Sequence, residues 1–431
     1  AGGAQYEASA TGAWDIYNQL DRPTRIVFPR NSSDVVSAMR TIFHSDEHYA
    51  VRGGGHSVMP GWNTIDNGVL IDFSQMKAFS YDPVRNSIFI EPGVLLEEVY
   101  DGLQSQGVAP VGGRVVTVGF SGLALGGGLS FLSPSQGWAC DRFRSLDVVL
   151  TNGRLVTATH TNEYSDLFTA LKGGGSRFGI VTRYEVDAIY VSTLHEHYLI
   201  TILCPVIATT VTYSNVSGTF TTVATVALFY NGTEAQFKQV FADFLAIPAV
   251  ATNLGPLSYN EVTKVPSQAQ APGIGPRATN YGGSTLYPGQ GLFEKSYNNW
   301  LNFSTSFKDE VSTASLVITP VFQSQIDISH AHGGTSFTPP NGQLTFFFFF
   351  SFGFPLQPAP FPLHAVGSYI HDRLYFSRIP RSPGLPLYLN ESEDVQDALT
   401  TYSGYEKLKE IYRKYDPTRF NVRRMVGPNG L

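Results

Sequence analysis

Three glycine clusters and one histidine carry most of the chemistry this sequence offers. Arg52-Gly53-Gly54-Gly55-His56-Ser57, the dense stretch from Gly112 to Gly128, and Gly173-Gly174-Gly175-Ser176-Arg177-Phe178-Gly179 all fall within the first 180 residues. Glycine lets the main chain approach a ligand closely and aim consecutive N–H groups at it, the arrangement that holds a pyrophosphate. A nicotinamide-type Gly-x-Gly-x-x-Gly turn would sit between a strand and a helix. Here Ser57 leads instead to Pro60, Gly61 and a strand. A P-loop is excluded because no Gly-Lys-Ser/Thr occurs. A set of unrelated surface turns is the plain alternative, but ordinary turn glycines are seldom so clustered.

These loops need elements to hold them. Ser33 can cap a helix running through Phe43, with Val35, Val36, Met39 and Phe43 on one face. The apolar segment 49–51 feeds the first glycine loop. Strand patterns follow at 68–73 and 87–91, then an amphipathic helix carrying Leu95, Val99 and Leu103. Strands at 146–150 and 155–157 flank the turn Asn152-Gly153, and another spans 180–186. From about residue 195 glycine loops give way to strand-like segments at 198–203, 219–229, 315–322 and 344–350. Pro- and Gly-rich connections at 266–275 and 355–362 interrupt them. Helical periodicity returns with Tyr405, Leu408, Ile411, Tyr412 and Tyr415, before Asp416-Pro417 stops the helix.

The 431 residues are 42% hydrophobic and 15% charged, so the chain can bury a core of two or three domains. A formal charge of −6, with Arg423 and Arg424 as the lone basic cluster, argues against nucleic acid or an anionic membrane as partner. The apolar run from Phe346 to Phe350, with Phe352 and Phe354, is far short of the roughly 20 residues a spanning helix needs. It reads as a buried strand, with an aromatic platform for a ring-shaped substrate as the second reading. The chain starts at Ala1 rather than Met and carries Asn-x-Ser/Thr sequons at Asn31, Asn215, Asn231, Asn302 and Asn390. Secretion and glycosylation are the expectation, against chance occurrence in a Ser/Thr-rich chain. Cys140 and Cys204 resemble neither a metal knuckle nor a disulfide scaffold. His195 with His197, and His330 with His332, would share a strand face but lack a third ligand, and His364 and His371 read as surface residues; no metal is expected.

Taken in order, Arg52 to Ser57, Leu70-Ile71-Asp72-Phe73-Ser74-Gln75-Met76, Ile90-Glu91-Pro92-Gly93-Val94, Gly112 to Gly119, Gly122 to Gly128, Gly137-Trp138-Ala139-Cys140-Asp141, Gly173 to Thr182 and Tyr415-Asp416-Pro417 resemble the FAD-binding domain of the vanillyl-alcohol oxidase superfamily, specifically its berberine-bridge-enzyme-like oxidases of fungi. The resemblance covers about the first 190 and last 45 residues, far more than one loose motif. It implies an α+β fold: a two-part PCMH-type FAD-binding domain (1–190, with a C-terminal return at 381–431) and an inserted substrate domain (191–380) built on a large antiparallel sheet covered by helices.

The resemblance also implies FAD, bonded covalently through His56 alone. The second attachment point of many relatives, a Cys, is Val115 here. An ordinary hydrogen-bonded loop histidine is the alternative reading of His56. The cofactor-binding set that follows is Arg52, Gly53, Gly54, Gly55, Ser57, Gly113, Thr117, Val118, Gly119, Ser121, Gly122, Gly126, Asp141, Gly179, Ile180 and Val181. Val118 stands where oxidases of the family tend to carry Val and dehydrogenases something bulkier, which favours oxygen as electron acceptor. Tyr388-Leu389-Asn390-Glu391 matches the family's C-terminal active-site segment, with Glu391 in place of a second tyrosine. Glu391 and Tyr388 are therefore the catalytic candidates, a buried carboxyl being able to act as base, although a loop carboxylate at a domain seam would look the same. Val58 stands where several oligosaccharide oxidases carry a tyrosine, which weakens a transfer of sugar specificity.

The expected function is a secreted, monomeric FAD oxidase that removes two electrons from an alcohol-type small molecule and yields hydrogen peroxide. The rivals are a secondary-metabolism dehydrogenase or oxidative cyclase acting on a polycyclic or alkaloid-like molecule, and a low-turnover flavin-binding protein.

Overall fold

The helix Ser32–Ser45 starts where the Asn31 side chain accepts a hydrogen bond from the Asp34 N–H (3.0 Å). Asn31, not Ser33, is thus the cap. Val35, Met39 and Ile42 turn inward. The computed structural model describes residues 2–191, 197–203, 210–216, 219–248, 252–268, 279–288, 291–306, 311–337, 339–353 and 379–431. Cys204, His195, His364, His371, Phe354 and the connection at 355–362 lie outside them.

Ten strands come from the first 190 residues: β1 (Arg25–Val27), β2 (Tyr49–Arg52), β3 (Val69–Asp72), β4 (Phe79–Asp82), β5 (Ser87–Ile90), β6 (Val108–Ala109), β7 (Phe143–Val149), β8 (Leu155–Thr159), β9 (Ile180–Asp187) and β10 (Ile189–Tyr190). They form a parallel sheet β1-β3-β2, an antiparallel sheet β4-β5-β9-β7-β8 and the small pair β10-β6. The parallel sheet matters most for the site. Its strand β2 is buried at Tyr49 and Ala50 and delivers the chain directly into Gly53.

The remaining strands are β11 (His197–Leu203), β12 (Thr210–Val216), β13 (Thr219–Asn231), β14 (Thr252–Leu257), β15 (Thr279–Leu286), β16 (Val311–Val321) and β17 (Leu344–Gly353). They make one antiparallel sheet in the order β14-β11-β13-β12-β16-β17-β15. Helices cover it. Trp300 and Phe303 of the helix Leu292–Ser306 pack on Leu286, Ala314 and Leu316, and Phe237 of Glu234–Val240 packs on Val226 and Leu228. Both helices were invisible in the strand-dominated reading of the sequence. The structure has the mixed α and β architecture that the resemblance implies, including the large antiparallel sheet.

Phe346 and Phe348 of β17 are fully buried and belong to the same apolar cluster as Trp138, Phe120 and Leu146. The two regions therefore share one core. The C-terminal helix Tyr405–Tyr415 buries Leu408, Ile411 and Tyr412 against the first region. Behind it, buried Arg177 donates to the carbonyls of Asn421, Met425, Gly427 and Pro428. Five donors on one planar group make such a clasp feasible without a carboxylate in direct contact.

One expectation about histidine fails here. His330 lies in the helix Gln323–Ala331 and His332 at its C-cap, not on a strand. Two positions along a helix turn side chains about 200° apart, so this pair cannot chelate as a strand pair would.

Candidate active site

The loop after β2 is braced from several sides. The Arg52 guanidinium donates to Asp72 at the end of β3 (2.6 Å) and to the Ser9 hydroxyl (2.6 Å), with both charged side chains almost completely buried. Burial alone would raise the Asp72 carboxyl. The Arg52 pair, with hydrogen bonds from Ser9 and Ser74, outweighs it and holds the group below the usual carboxylate range. Arg52, expected among the cofactor contacts, thus spends its side chain fixing the start of the loop. Gly55 needs its positive φ of 70°, and its carbonyl accepts from Trp14 N–H (2.9 Å) and the Asn63 amide (3.0 Å). The Ser57 carbonyl accepts from Asn18 and Asn63.

Against this loop lies the segment 115–122. A Cβ on Gly119 would stand 2.5 Å from the Gly54 nitrogen, and one on Gly53 would stand 2.9 Å from the Pro92 carbonyl oxygen. Two bare backbones thus touch, as close packing at a cofactor cradle requires. At its rim, His56 Nε2 lies 3.1 Å from Thr117 Oγ1, and the imidazole stacks on Trp14 at 4.7 Å between ring centroids and 22° between planes. Thr117 is exposed, Val118 half-buried, and a side chain at Gly122 would meet nothing within 4 Å. Ser121 turns inward, donating to the Pro92 carbonyl (2.9 Å).

The other glycines do a different job. A Cβ on Gly126 would collide with the Asn390 amide, one on Gly127 with Phe337, and one on Gly173 with Phe337 again. Gly175 admits Leu389 and Pro428, Gly179 admits Val148, and Gly113 packs on Leu96 and Leu123. Ile180 and Val181 are buried in β9. The second half of the middle cluster and the third cluster therefore make room for protein side chains. Asp141 is likewise spent within the protein. Its carboxylate accepts from Trp138 N–H (3.0 Å) and the Ser329 hydroxyl (3.1 Å), and pairs with Lys172 (3.4 Å) in a setting where neither side chain is more than 4% exposed. Next to it, Cys140 is fully buried, and burial pushes its thiol well up.

The C-terminal segment brings Tyr388, Asn390 and Glu391 against this cradle. The Tyr388 hydroxyl accepts from the N–H groups of Gly128 (3.1 Å) and Leu129 (3.0 Å) and from the Asn390 amide (3.0 Å). With the ring only 2% exposed, walled by Trp138, Phe346 and Phe348, burial pushes the phenol far up, and nearby Glu391 adds to it. Three protein donors thus hold the Tyr388 hydroxyl in place against the segment 128–129. The Asn390 amide nitrogen also donates to the Leu123 carbonyl (2.8 Å), so this sequon is engaged in the fold. Asn31 and Asn302 are exposed.

Glu391 is different. Burial pushes its carboxyl up to about 7, with Arg114 pulling the other way. Its Oε2 is buried without a hydrogen-bond partner, and its Oε1 lies 3.9 Å from Arg114 Nη2. A carboxyl near neutrality can accept a proton in its ionised form, which is what a general base requires. Sequence reasoning missed Arg114 and Trp14. The first carried a signal, being the one charge in an otherwise glycine-rich and apolar stretch; the second carried none.

Residues 23–159 match the family model described as an FAD binding domain. An uncharacterized FAD-linked oxidoreductase of Arthroderma benhamiae is 28% identical over 98% of this chain and 90% of that protein. An FAD-dependent monooxygenase of Cochliobolus heterostrophus is 37% identical, over 40% of this chain and 33% of that protein. Among solved structures, 6-hydroxy-D-nicotine oxidase of Arthrobacter nicotinovorans superposes with a TM-score of 0.78 at 20% identity, covering 99% of this chain and 96% of that one. Berberine bridge enzyme of Eschscholzia californica does so with a TM-score of 0.75 at 16% identity, covering 99% and 94%. These structures share the fold.

The bare-backbone cradle, the matched domain and the nearly full-length relative together define an FAD-linked oxidoreductase. The chain carries an FAD binding domain at residues 23–159 and, along nearly its whole length, has the fold of 6-hydroxy-D-nicotine oxidase and berberine bridge enzyme.

Proposed function

We propose that this protein is a secreted, glycosylated FAD oxidase. It would take two electrons from an alcohol-type carbon of a small molecule, with oxygen as acceptor and hydrogen peroxide as product. The observation that carries the reading is the partly buried Glu391 carboxyl, whose Oε2 has no hydrogen-bond partner, on a chain that also holds the close backbone contact rimmed by His56.

The residues present fit FAD. Gly53, Gly54 and Gly119 bring two backbone segments together without side chains between them, Thr117, Val118 and Gly122 lie on the more accessible side of this contact, and His56 at its rim would supply an imidazole nitrogen for a single covalent tether. FAD held there would supply a hydride acceptor and a route for the electrons to oxygen. The chain's own part is to hold and to move a proton. Trp14 and Thr117 fix the His56 ring. Val118, half-buried and small, keeps space open. Glu391, ionised, accepts the substrate hydroxyl proton as the C–H bond gives up its hydride, and its partnerless Oε2 is the atom that would receive it. The pH dependence follows: the base works only when ionised, so flavin reduction should rise as pH climbs through about 7.

A second reading, a secondary-metabolism flavin enzyme acting on a polycyclic substrate, is favoured by the 37% identity to a fungal monooxygenase over 40% of this chain. Two measurements test the proposal. Peptide mass spectrometry should find flavin on the His56 peptide, and flavin fully released on denaturation refutes the tether. Peroxide release across oligosaccharides, aryl alcohols and polycyclic alcohols separates the two substrate classes. With whichever substrate responds, Glu391→Gln should slow flavin reduction about 100-fold or more and abolish the acid limb. An unchanged rate removes Glu391 from the mechanism.

A further inference from the structure

Two arginine–carboxylate pairs flank the candidate site, and they are set up oppositely. Arg52 and Asp72 stand 2.6 Å apart. Arg114 Nη2 and Glu391 Oε1 stand 3.9 Å apart, too far for a hydrogen bond, with both side chains about one-fifth exposed. Arg114 is not idle at that distance. Its Nη1 donates to the Thr319 hydroxyl of β16 (3.2 Å), a side chain itself nearly buried. The guanidinium is therefore tethered to the large sheet and kept from closing on the carboxylate.

We propose that Arg114 is a positioning residue for the Glu391 carboxyl, and that Thr319 sets the distance at which it acts. The inference rests on Glu391 being the base. The base would then be assembled from three chain segments: the loop after β6 gives the cation, the C-terminal segment the carboxyl, and β16 the tether. The main chain of Glu391 is pinned separately. Its N–H donates to the Tyr388 carbonyl (3.1 Å), and β15 approaches so closely that a Cβ on Gly283 would stand 2.8 Å from the Glu391 carbonyl oxygen. With the backbone fixed, the remaining variable is the charge facing the carboxyl. Among the described residues Arg114 is the charge that acts on Glu391; Tyr388 is the other titratable group beside it, β16 presents Thr319 and β15 presents the Gly283 backbone. A cation at this range favours the ionised form without locking it, whereas a closed, fully bonded pair behaves like Arg52 and Asp72.

The test reads Glu391 directly. Infrared difference spectra across pH, with Glu391→Gln as the blank, give the midpoint at which the protonated carboxyl band of Glu391 disappears in the FAD-loaded enzyme. Arg114→Met should move that midpoint to higher pH by about one unit, with the acid limb of flavin reduction moving alongside, and Arg114→Lys should restore part of it. Thr319→Val frees the guanidinium to close on the carboxylate and should move the midpoint to lower pH. An unmoved midpoint in folded, flavin-loaded Arg114→Met overturns the proposal, as does an unmoved midpoint in Thr319→Val for the tether. If Glu391→Gln reduces flavin as fast as the unaltered protein, the base reading has failed, yet the band shift still reports whether Arg114 governs the carboxyl. The two failures are thus distinguishable.

Discussion

The cofactor side and the substrate side of this molecule are built from different materials. On the cofactor side the critical surface is backbone: Gly53 and Gly54 lie against Gly119 with no room for a single carbon. On the side proposed for the substrate it is side chain: Phe346, Phe348, Trp138 and Tyr388 pack together as a buried aromatic cluster, and Thr319 and Glu391 enter from different segments. A backbone surface tolerates few residue types and so leaves a motif in the sequence. A side-chain surface can be assembled in many ways, provided the volume is filled.

The largest effect should come from separating the two sides. Asp141 belongs to the first region, Ser329 to the helix Gln323–Ala331 of the second, and Lys172 bonds the His332 carbonyl (2.9 Å) as well as facing Asp141. Lys172→Met leaves a buried carboxylate without its cation, at a cost of about 3–5 kcal/mol. Urea unfolding followed through Trp138 and Trp300, one in each region, should show both signals shifting together to a lower midpoint. Adding Asp141→Asn should recover part of the loss. A midpoint that stays put would mean the seam contributes nothing to either side.

Next comes the backbone surface itself. Gly54→Ala places a methyl into Gly119, and the loop must move away to accommodate it. Overpacking of this kind costs about 1–3 kcal/mol, equivalent to tenfold or more in retained flavin if the strain falls on the cradle. Flavin absorbance per protein and fluorescence of the denatured band read it out. The same change at Gly3, where a Cβ meets nothing and φ is −93°, is the control for a glycine outside the cradle.

The same contrast decides what was legible in the sequence. The loop from Arg52 to Ser57, the strands β2, β3, β5, β7 and β9 and the C-terminal helix could be read, because turn chemistry and period-two or helical patterns act locally. The roles of the later glycines could not. Gly126, Gly127 and Gly173 look like the cradle glycines, but what approaches them is Asn390 and Phe337, more than 150 positions away in the chain. The setting of Tyr388 was hidden for the same reason: it depends on the N–H groups of Gly128 and Leu129, which only the fold brings to it. Arg114 and Trp14 acquire meaning through Glu391 and His56, and no spacing rule links those pairs.

The smallest effect concerns Glu391 as a cost to folding. In the unfolded chain a glutamic acid ionises near 4.5; here burial raises it to about 7. Between those values the folded state binds the proton and the unfolded state does not, so stability gained by protonation is complete below about pH 4.5 and lost as pH rises through 7. Glu391→Gln removes the charge at every pH. The variant should therefore match the unaltered protein in acid and exceed it by at most about 3 kcal/mol at pH 8, a figure that already contains the Arg114 attraction. Denaturant midpoints at pH 5 and pH 8 measure the difference. A gain of stability at alkaline pH, paired with loss of flavin reduction, is the signature of a residue kept for chemistry. Equal midpoints at both pH values would return Glu391 to the role of a surface carboxylate and leave the substrate side without its base.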